Sequence, residues 1–549
     1  MMLAPEHLVI APILLPLVTG ALQLFFDDRG RTLKATLSIL STIVLLIISI
    51  LLIRFTYSDD HTSGGGVVVY LLGNWPPPFA INLVLDHLSA MMLVLTATLA
   101  LPALIFSLGR WHRAGAHFHT LFQLLLMGLN GAFLTGDLFN LFVFFEVMLA
   151  ASYGLVLHGS GLLRVKAGLH YIAINLVGSL LFLIGVALIY GVTGTLNMAD
   201  LALKIPQISA SHATLLESGI AILSVAFLIK AGMWPLSFWL PATYAAAPAP
   251  SAAVFAIMSK VGIYVLLRLS LLFFGNNPDF SNGLGAQILV YGGLATISFG
   301  TVGVLASQTL GRFTSYSVLI SSGTLLTSIG LVQTEVTAGA LFYLISSTLA
   351  ISALFMLIEL MERGQNVAAS VLAVTMEAFG YEDEETEDEE IVGVAIPRTI
   401  AVLGTCFAAC ALLLIGLPPL SGFIAKFVIL SALFSPDLID QLTAPSTASW
   451  WFMALLILSG LATLIAMVRS GIHTFWAPPV EATLPRVLFI EILPITALVG
   501  ATLVLTIQAG PVMRFMEATA ISLHAPQPYI EGVLHTPPTT LPASTESTE

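Results

Sequence analysis

The sequence contains few charged residues for its length. Only 9% of its 549 residues are charged, whereas 57% are hydrophobic. A soluble chain of this length needs far more charge to cover its surface, so much of this one must face lipid. The composition therefore excludes an ordinary soluble protein and predicts an all-α polytopic membrane protein.

Cysteine is also scarce, and the motifs of cofactor chemistry are missing. Cys406 and Cys410 lie one helical turn apart in an apolar run, where we favour a pair of small apolar fillers over a redox pair. The sequence has no haem or iron–sulfur spacing and no GxxxxGK[ST] phosphate loop. We therefore expect no cofactor, no metal and no nucleic-acid partner. Any energy that the protein uses has to come from elsewhere.

Long apolar runs recur from end to end. They predict about fourteen spans, each able to cross a hydrocarbon core about 30 Å thick. The spans lie near residues 8–26, 33–53, 88–108, 118–136, 138–157, 168–190, 219–240, 248–274, 288–306, 314–332, 338–361, 400–434, 450–469 and 487–508. Pro235 and Pro241 interrupt one run, and Gly416, Pro418 and Pro419 lie near the middle of another. Both of these runs are predicted to be broken helices.

The basic residues predict the orientation of the bundle. Twelve Lys and Arg residues fall in odd-numbered loops and three in even-numbered loops, which is a strong positive-inside bias. We predict a multi-pass protein of the inner (plasma) membrane, with both termini outside and the odd loops in the cytoplasm. One of those loops carries an acidic insert at 377–392, which is either a solvated insert, a cation-attracting mouth or a docking site. Residues 535–549 are predicted to form a disordered tail.

Few charged residues lie away from the ends of the predicted spans. They are Glu146, Lys230, Lys260, Arg268 and Lys426. An ionised side chain at the bilayer centre costs roughly 2.5–3.5 kcal/mol on insertion scales, so such residues face a partner or a wet cavity. Arg268 lies near a span end, where we expect its side chain to snorkel to the interface.

The other four residues have the chemistry of a proton relay. Burial brings the pKa of a lysine from about 10.4 toward neutrality, so a buried lysine can both take up and release protons. A lysine moving near a buried carboxylate switches that carboxylate between holding and releasing a proton. The alternative is that Glu146 and the lysines are structural ion pairs that fix helix register. Asp137 could help to load Glu146 or could cap a helix start, and we favour the cap.

Three motifs around these charges resemble those of a known family. They are GDLFNLFVFFE at 136–146, KAGMWPLSFWLP at 230–241 and GLPPLSGFIAK at 416–426. Together with residues 248–268, they make the chain similar to the antiporter-like subunits shared by respiratory complex I and the Mrp (Mnh/Pha) multi-subunit sodium/proton antiporters. The flanks at 73–79, 81–86 and 528–534 are similar to those of the D-type subunits.

The resemblance implies an architecture of fourteen helices with two inverted five-helix repeats, each containing one broken helix. The implied divisions are 1–117 for helices 1–3, 118–274 for the first repeat, 288–469 for the second repeat with the acidic insert, and 487–508 for helix 14. It also implies that Glu146 pairs with Lys230, that Lys260 is the central relay and that Lys426 is the terminal site.

The implied function is proton translocation within a Na⁺(K⁺)/H⁺ antiporter, which is a secondary transporter and not an enzyme. The implied partners are subunits of the A, B, C, E, F and G types, together with H⁺ and Na⁺, K⁺ or Li⁺. Two other functions stay open, namely a proton-pumping subunit of a respiratory NADH:quinone oxidoreductase and a non-conducting structural subunit. Whether the metal cation passes through this chain or another subunit is open as well.

The sequence departs from the family pattern between its last two lysines. Serines 346 and 347 follow residues 341–345, where relatives often have a histidine, and the preceding span offers Ser321 and Ser322. The link from Lys260 to Lys426 is therefore expected to run through water held by Tyr343, Ser346 and Ser347, or to be absent.

Overall fold

The computed structural model describes residues 5–26, 30–56, 66–79, 81–274, 283–379, 398–434, 446–476 and 487–537. These residues form nineteen α-helices and one antiparallel sheet of two strands. The helices are α1 (Ala11–Leu24), α2 (Arg31–Thr56), α3 (His87–Ser107), α4 (Phe118–Leu134), α5 (Leu138–Leu157), α6 (Leu162–Thr193), α7 (Met198–Lys204), α8 (Ala210–Ala231), α9 (Trp239–Ala246), α10 (Ala249–Phe274), α11 (Leu284–Ala306), α12 (Leu310–Gly330), α13 (Thr334–Phe379), α14 (Arg398–Ile415), α15 (Ser421–Phe434), α16 (Thr447–Gly471), α17 (Phe489–Ile507), α18 (Ala509–His524) and α19 (Gln527–Leu534). The strands are β1 (Val68–Leu71) and β2 (Asn82–Leu85).

Most of these helices have the length and composition of membrane spans. Ten in the described part of the chain are long and apolar enough to cross a membrane, and the shorter helices α1, α4, α14 and α15 are apolar too. The prediction of a helical polytopic membrane protein is confirmed. The number fourteen, the inverted repeats and the divisions at 118–274 and 288–469 stay predictions.

The centre of the bundle is formed by α10 and α13. Almost every residue of α10 is buried, whereas α2 and α6 expose long apolar faces suited to lipid or to partner subunits. Small residues allow this close packing. A Cβ atom added at Gly262 of α10 would lie 2.7 Å from the carbonyl oxygen of Phe227 on α8. The helix that carries Lys260 is therefore held tightly against the helix that carries Lys230.

The two predicted helix breaks are both present. The first separates α8 from α9, where Gly232 ends α8 with φ near +74° and Pro235 follows. The second separates α14 from α15, where Gly416 has φ near +80° and Pro418 and Pro419 follow. Glycine adopts this left-handed conformation without strain, and proline cannot continue the helical hydrogen bonds. Each break therefore lies at residues that favour it.

Other segments depart from the predicted boundaries. α13 continues to Phe379, well beyond the predicted end near residue 361, and α18 and α19 follow α17 without counterparts in the sequence analysis. The acidic insert begins within the last turn of α13, and from residue 380 it lies outside the described residues. From residue 538 the predicted tail also lies outside them.

Arg268 does not snorkel, contrary to the expectation from its sequence position. Its side chain is 5% exposed, and its guanidinium forms an ion pair of 2.8 Å with Asp86 Oδ1. Its Nε donates to the hydroxyl of Tyr264 at 3.0 Å, and the guanidinium lies 5.2 Å from the ring of Tyr529. The β2–α3 junction and α19 cover this end of α10, so the arginine meets a carboxylate there and not the interface.

Replacing Asp86 by asparagine is expected to destabilise the protein because the buried guanidinium loses its counter-charge. Removing one partner of a buried ion pair costs about 3–5 kcal/mol, which appears as a lower melting temperature of the detergent-purified protein. The matched control is Lys204→Gln, which breaks the partly exposed pair of Lys204 with Asp200. That change is expected to cost about 1 kcal/mol or less. Equal melting temperatures for the two variants would contradict the prediction.

Candidate functional site

Lys230 lies at the end of α8, where its ammonium is held by a neutral side chain. The residue is 3% exposed, and its Nζ donates to Asn175 Oδ1 on α6 at 2.7 Å. The same atom lies 5.4 Å from the ring centre of Phe145 and 5.9 Å from that of Tyr171. An amide oxygen and two aromatic faces thus replace the hydration of the ammonium.

Glu146 on α5 faces the same small cavity as Lys230. Asn175 and Ser179 line it as well. Ser179 donates a hydrogen bond to Glu146 Oε1 from α6, one helical turn after Asn175. Glu146 and Lys230 thus bond to neighbouring side chains of one face of α6 and line the same cavity, and their pairing stays a prediction.

Lys260 is completely buried on α10 and is bonded to two serine hydroxyls. Its Nζ lies 2.8 Å from Ser321 Oγ and 3.5 Å from Ser322 Oγ, both on α12. A hydroxyl can accept from an ammonium and can also donate to a neutral amine. The serines can therefore satisfy Lys260 in either protonation state.

Lys426 on α15 is bonded to the broken end of α14. Its Nζ donates to the carbonyl oxygens of Ile415 at 2.8 Å and Leu414 at 3.2 Å. The last carbonyls of a helix have no partner within that helix, and they carry its negative dipole end. The break at Gly416 thus provides two acceptors for the ammonium.

Serine hydroxyls connect Lys260 with the surroundings of Lys426. Ser321 Oγ lies 3.0 Å from Ser347 Oγ on α13. Ser347 and Tyr343 line a small cavity, and Lys426 lines the same cavity. Ser347 therefore lies between Ser321, which bonds Lys260, and the cavity that Lys426 lines, and the connection through water held by Tyr343, Ser346 and Ser347 stays a prediction.

The remaining residues of the sequence prediction have structural contacts. Ser346 Oγ lies 2.8 Å from Ser421 Oγ, and this contact ties α13 to the start of α15. Asp137 caps α5, because its Oδ1 accepts from the backbone N–H groups of Phe139 at 2.8 Å and Asn140 at 2.9 Å. The interpretation of Asp137 as a helix cap is confirmed.

None of the three lysines forms an ion pair with a carboxylate in the described part of the chain. The ion pairs found there are Lys204–Asp200, Arg268–Asp86, Arg363–Glu359 and Arg363–Glu491. This geometry therefore does not favour the alternative, in which the lysines form structural ion pairs. A buried lysine with only neutral partners can lose its proton without leaving a carboxylate uncompensated.

Several contact residues were missed by the sequence analysis. Asn175 and Ser179 are the clearest of these, and their spacing of four residues within an apolar span was a signal that they share one helix face. Ser459 and Thr463 on α16, which line the cavity of Lys426, have the same spacing. Arg363 is one of the twelve basic residues that the sequence assigned to odd-numbered loops, but it lies in α13 and bonds Glu491 of α17 at 2.6 Å.

The region that holds the four charged residues matches a known family profile. The profile described as NADH:quinone oxidoreductase/Mrp antiporter, TM, matches residues 135–450, which is more than half of the chain. A protein of Rhizobium meliloti (strain 1021), named as a probable K(+)/H(+) antiporter subunit of the D type, is 61% identical, over 97% of this chain and 98% of its own length. The D-type subunit of a Na(+)/H(+) antiporter of Alkalihalophilus pseudofirmus is 34% identical, over 96% of this chain and 99% of its own length.

Solved structures share the fold. A chain of the Mrp complex from Dietzia sp. DQ12-45-1b matches with a TM-score of 0.79 and 26% identity, over 97% of this chain and 100% of that one. A chain of respiratory complex I from Thermus thermophilus matches with a TM-score of 0.71 and 22% identity, over 94% of this chain and 99% of that one. The second likeness concerns the fold alone.

The hydrogen bond between Lys230 and Asn175 is expected to appear as a coupling between two substitutions. Asn175→Leu removes the acceptor of a buried ammonium and is expected to cost about 1.5–3 kcal/mol of stability. Lys230→Leu in the same chain removes the ammonium as well, so the double variant is expected to regain most of that loss. The measurement is the melting temperature of the four proteins of the cycle. Strictly additive effects would show that the two side chains do not interact.

Proposed function

Because this chain belongs to the NADH:quinone oxidoreductase/Mrp antiporter family, we propose that it is a proton-translocating membrane subunit of a multi-subunit cation/proton antiporter. In this role it is a secondary transporter subunit and not an enzyme. We propose that it works with subunits of the A, B, C, E, F and G types in the inner (plasma) membrane. Both termini lie outside, and the odd-numbered loops lie in the cytoplasm.

The observation that carries this proposal is the series of hydroxyls between the buried Lys260 and the cavity of the half-buried Lys426. Lys260 bonds Ser321, Ser321 lies 3.0 Å from Ser347, and Ser347 lines the cavity of Lys426. Serine hydroxyls accept one proton while donating another. A chain of hydroxyls and cavity water between two lysines is therefore a path for protons within an apolar bundle.

In the proposed relay each charged group has its own role. Glu146 exchanges protons at one end, and the charge state of Lys230 controls whether that carboxylate holds its proton. Lys260 passes protons between the two halves of the chain, and Lys426 is the terminal site. The cavity shared by Glu146 and Lys230 has room for about one water molecule, which is enough to bridge them.

We propose K⁺ ahead of Na⁺ as the exchanged cation. The relative that is 61% identical is named for K(+)/H(+) exchange, whereas the one named for Na(+) is 34% identical. These names also favour an antiporter over the pumping subunit of a respiratory NADH:quinone oxidoreductase, because the likeness to the T. thermophilus complex I chain, at 22% identity, bears on the fold alone.

Lys426→Ala is expected to abolish cation/proton exchange because the terminal site then has no group that takes up a proton. The expected loss is about 100-fold or more, measured as cation-driven collapse of a pH gradient in everted vesicles with a weak-base dye. Lys166→Ala, which changes an exposed lysine of α6, is the matched control. Unimpaired exchange in the assembled Lys426→Ala complex would refute the proposed role.

Ser347→Ala is expected to slow exchange without preventing assembly, because it removes the hydroxyl that lies between Ser321 and the cavity of Lys426. Loss of such a hydrogen-bonded link is expected to lower the rate about fivefold or more. Ser328→Ala is the matched control, since that buried hydroxyl of α12 bonds only within its own helix. If both variants transport at the native rate, protons take another path.

If the chain is a non-conducting structural subunit, a different result is expected for Glu146 and Lys230. If Glu146 and Lys230 serve only assembly, then Glu146→Gln combined with Lys230→Met lowers the amount of assembled complex but not the turnover of each complex. The relay requires that turnover falls. Normalising transport to the amount of purified complex distinguishes the two.

A further inference from the structure

Two flanking segments of the chain, at 81–86 and 528–534, meet at Arg268 of α10. Asp86 ends the first segment and forms the 2.8 Å ion pair with the guanidinium. Tyr529 of the second segment places its ring 5.2 Å from the same group. The proposed relay gives these two segments no role, although they cover one end of its central helix.

Arg268 lies on the same helix as Lys260, eight residues further along the chain. Eight residues of an α-helix rise about 12 Å. Tyr264 lies halfway between them, and its hydroxyl accepts from Arg268 Nε at 3.0 Å and donates to the carbonyl oxygen of Phe133 at 2.6 Å. All three side chains of α10 are buried. The guanidinium is therefore a permanent positive charge about 12 Å along the helix from Lys260.

The carboxylate of Asp86 is held in place independently of the arginine. The residue is 6% exposed, and its Oδ1 accepts from the backbone N–H of Ser89 at 2.9 Å. The hydroxyl of Ser89 accepts in turn from the backbone N–H of Asp86 at 2.8 Å. These two bonds form the capping box that begins α3. The start of α3 therefore fixes the counter-charge beside Arg268.

We propose that Asp86 is a positioning residue of the relay, which acts through Arg268 and compensates the charge that the arginine places near Lys260. The inference rests on the proposed function and deepens it, since it adds a charge-compensating pair to the site of Lys260. An arginine stays ionised in a protein, whereas a relay lysine alternates between its charged and neutral forms. Without its partner, the arginine would favour the neutral form of the lysine.

Coulomb's law gives the size of the effect. With an effective dielectric constant of about 20, two unit charges about 12 Å apart change a protonation equilibrium about tenfold, which is about one pH unit. The carboxylate oxygen lies 2.8 Å from the guanidinium. At Lys260 the two opposite charges therefore cancel for the most part, and the lysine can take up a proton nearly as readily as if neither were present.

The other titratable groups around Lys260 are the same in every variant of the test. Lys260 itself bonds the neutral hydroxyls of Ser321 and Ser322 on α12. Titratable side chains of the surrounding interior include Glu146 of α5, Tyr171 of α6, Lys230 of α8, Tyr244 of α9, Tyr264 of α10 and Tyr343 of α13. A difference between the variants therefore reports the charge at Arg268.

The test is the pH profile of cation/proton exchange by the assembled complex, measured in everted vesicles for Asp86→Asn, Arg268→Gln and the double variant. Asparagine also caps helices well, so the first change removes the charge and keeps the start of α3. The alkaline limb of the profile is where protonation of Lys260 becomes limiting. In Asp86→Asn this limb is expected to move about one pH unit lower, because an uncompensated arginine disfavours a second positive charge.

Arg268→Gln is expected to have the opposite effect. The carboxylate of Asp86 is then uncompensated and favours the protonated lysine, so the alkaline limb moves about one pH unit higher. In the double variant neither charge remains, and the limb is expected to return to its native position. A purely structural ion pair would instead lower the maximal rate or the amount of assembled complex without moving the limb.

The matched control is Asp200→Asn, which removes the carboxylate of the partly exposed pair with Lys204 and is expected to leave the limb in place. Arg268→Gln and the double variant are also compared with each other, so the comparison stands even where Asp86→Asn fails to assemble. Identical limbs in these two assembled variants, together with an inactive Lys426→Ala complex, overturn the role of Asp86 and leave the relay standing. Exchange by the Lys426→Ala complex overturns the relay itself.

Discussion

An ammonium group within an apolar bundle has to be surrounded by oxygen, and the interior of this protein is arranged around that requirement. Lys230 uses an amide, Lys260 two serines, and Lys426 two carbonyls. A carboxylate partner would satisfy a lysine more strongly, but it would also fix the charge in place. Neutral oxygens satisfy the charge without fixing it in place, and this choice of partner separates the lysines of the proposed relay from Arg268, which is paired with Asp86.

The helix breaks follow from the same requirement. An intact helix uses its carbonyls internally and has none to offer a buried cation. Interrupting α14 with Gly416 and the prolines releases carbonyls at membrane depth, and the lysine of the next helix half takes them up. α13 and α16 pack against α14, but residues 417–419 of the break are exposed in this chain, so the unwound backbone needs water or a partner subunit beside it and not lipid. The break is thus a means of creating acceptors, at a place where the helix dipole already favours positive charge.

The functional charged residues and the helix breaks could be recognised in the sequence because both are rare within apolar runs. A lone lysine or a pair of prolines within twenty apolar residues has few structural explanations. Partners such as Asn175 and Ser179 could not be selected in this way, since most serines and threonines in membrane helices bond only to their own backbone, as Thr301 does. Arg268 was misjudged because its burial depends on the sheet and α19, whose packing over the end of α10 no local pattern reveals. Contacts between distant segments decide which hydroxyls belong to the site.

The partners of Lys260 and Lys426 differ in one chemical respect. A serine hydroxyl can accept from an ammonium and can also donate to a neutral amine, so the hydrogen bond between Lys260 and Ser321 can reverse when the lysine loses a proton. A carbonyl oxygen only accepts, but a neutral amine keeps two N–H groups, so the carbonyls of Leu414 and Ile415 can stay bonded to Lys426 in either protonation state. These carbonyls cannot pass a proton on. In the proposed relay, protons therefore reach Lys426 through the cavity that it shares with Ser347 and not through the broken end of α14.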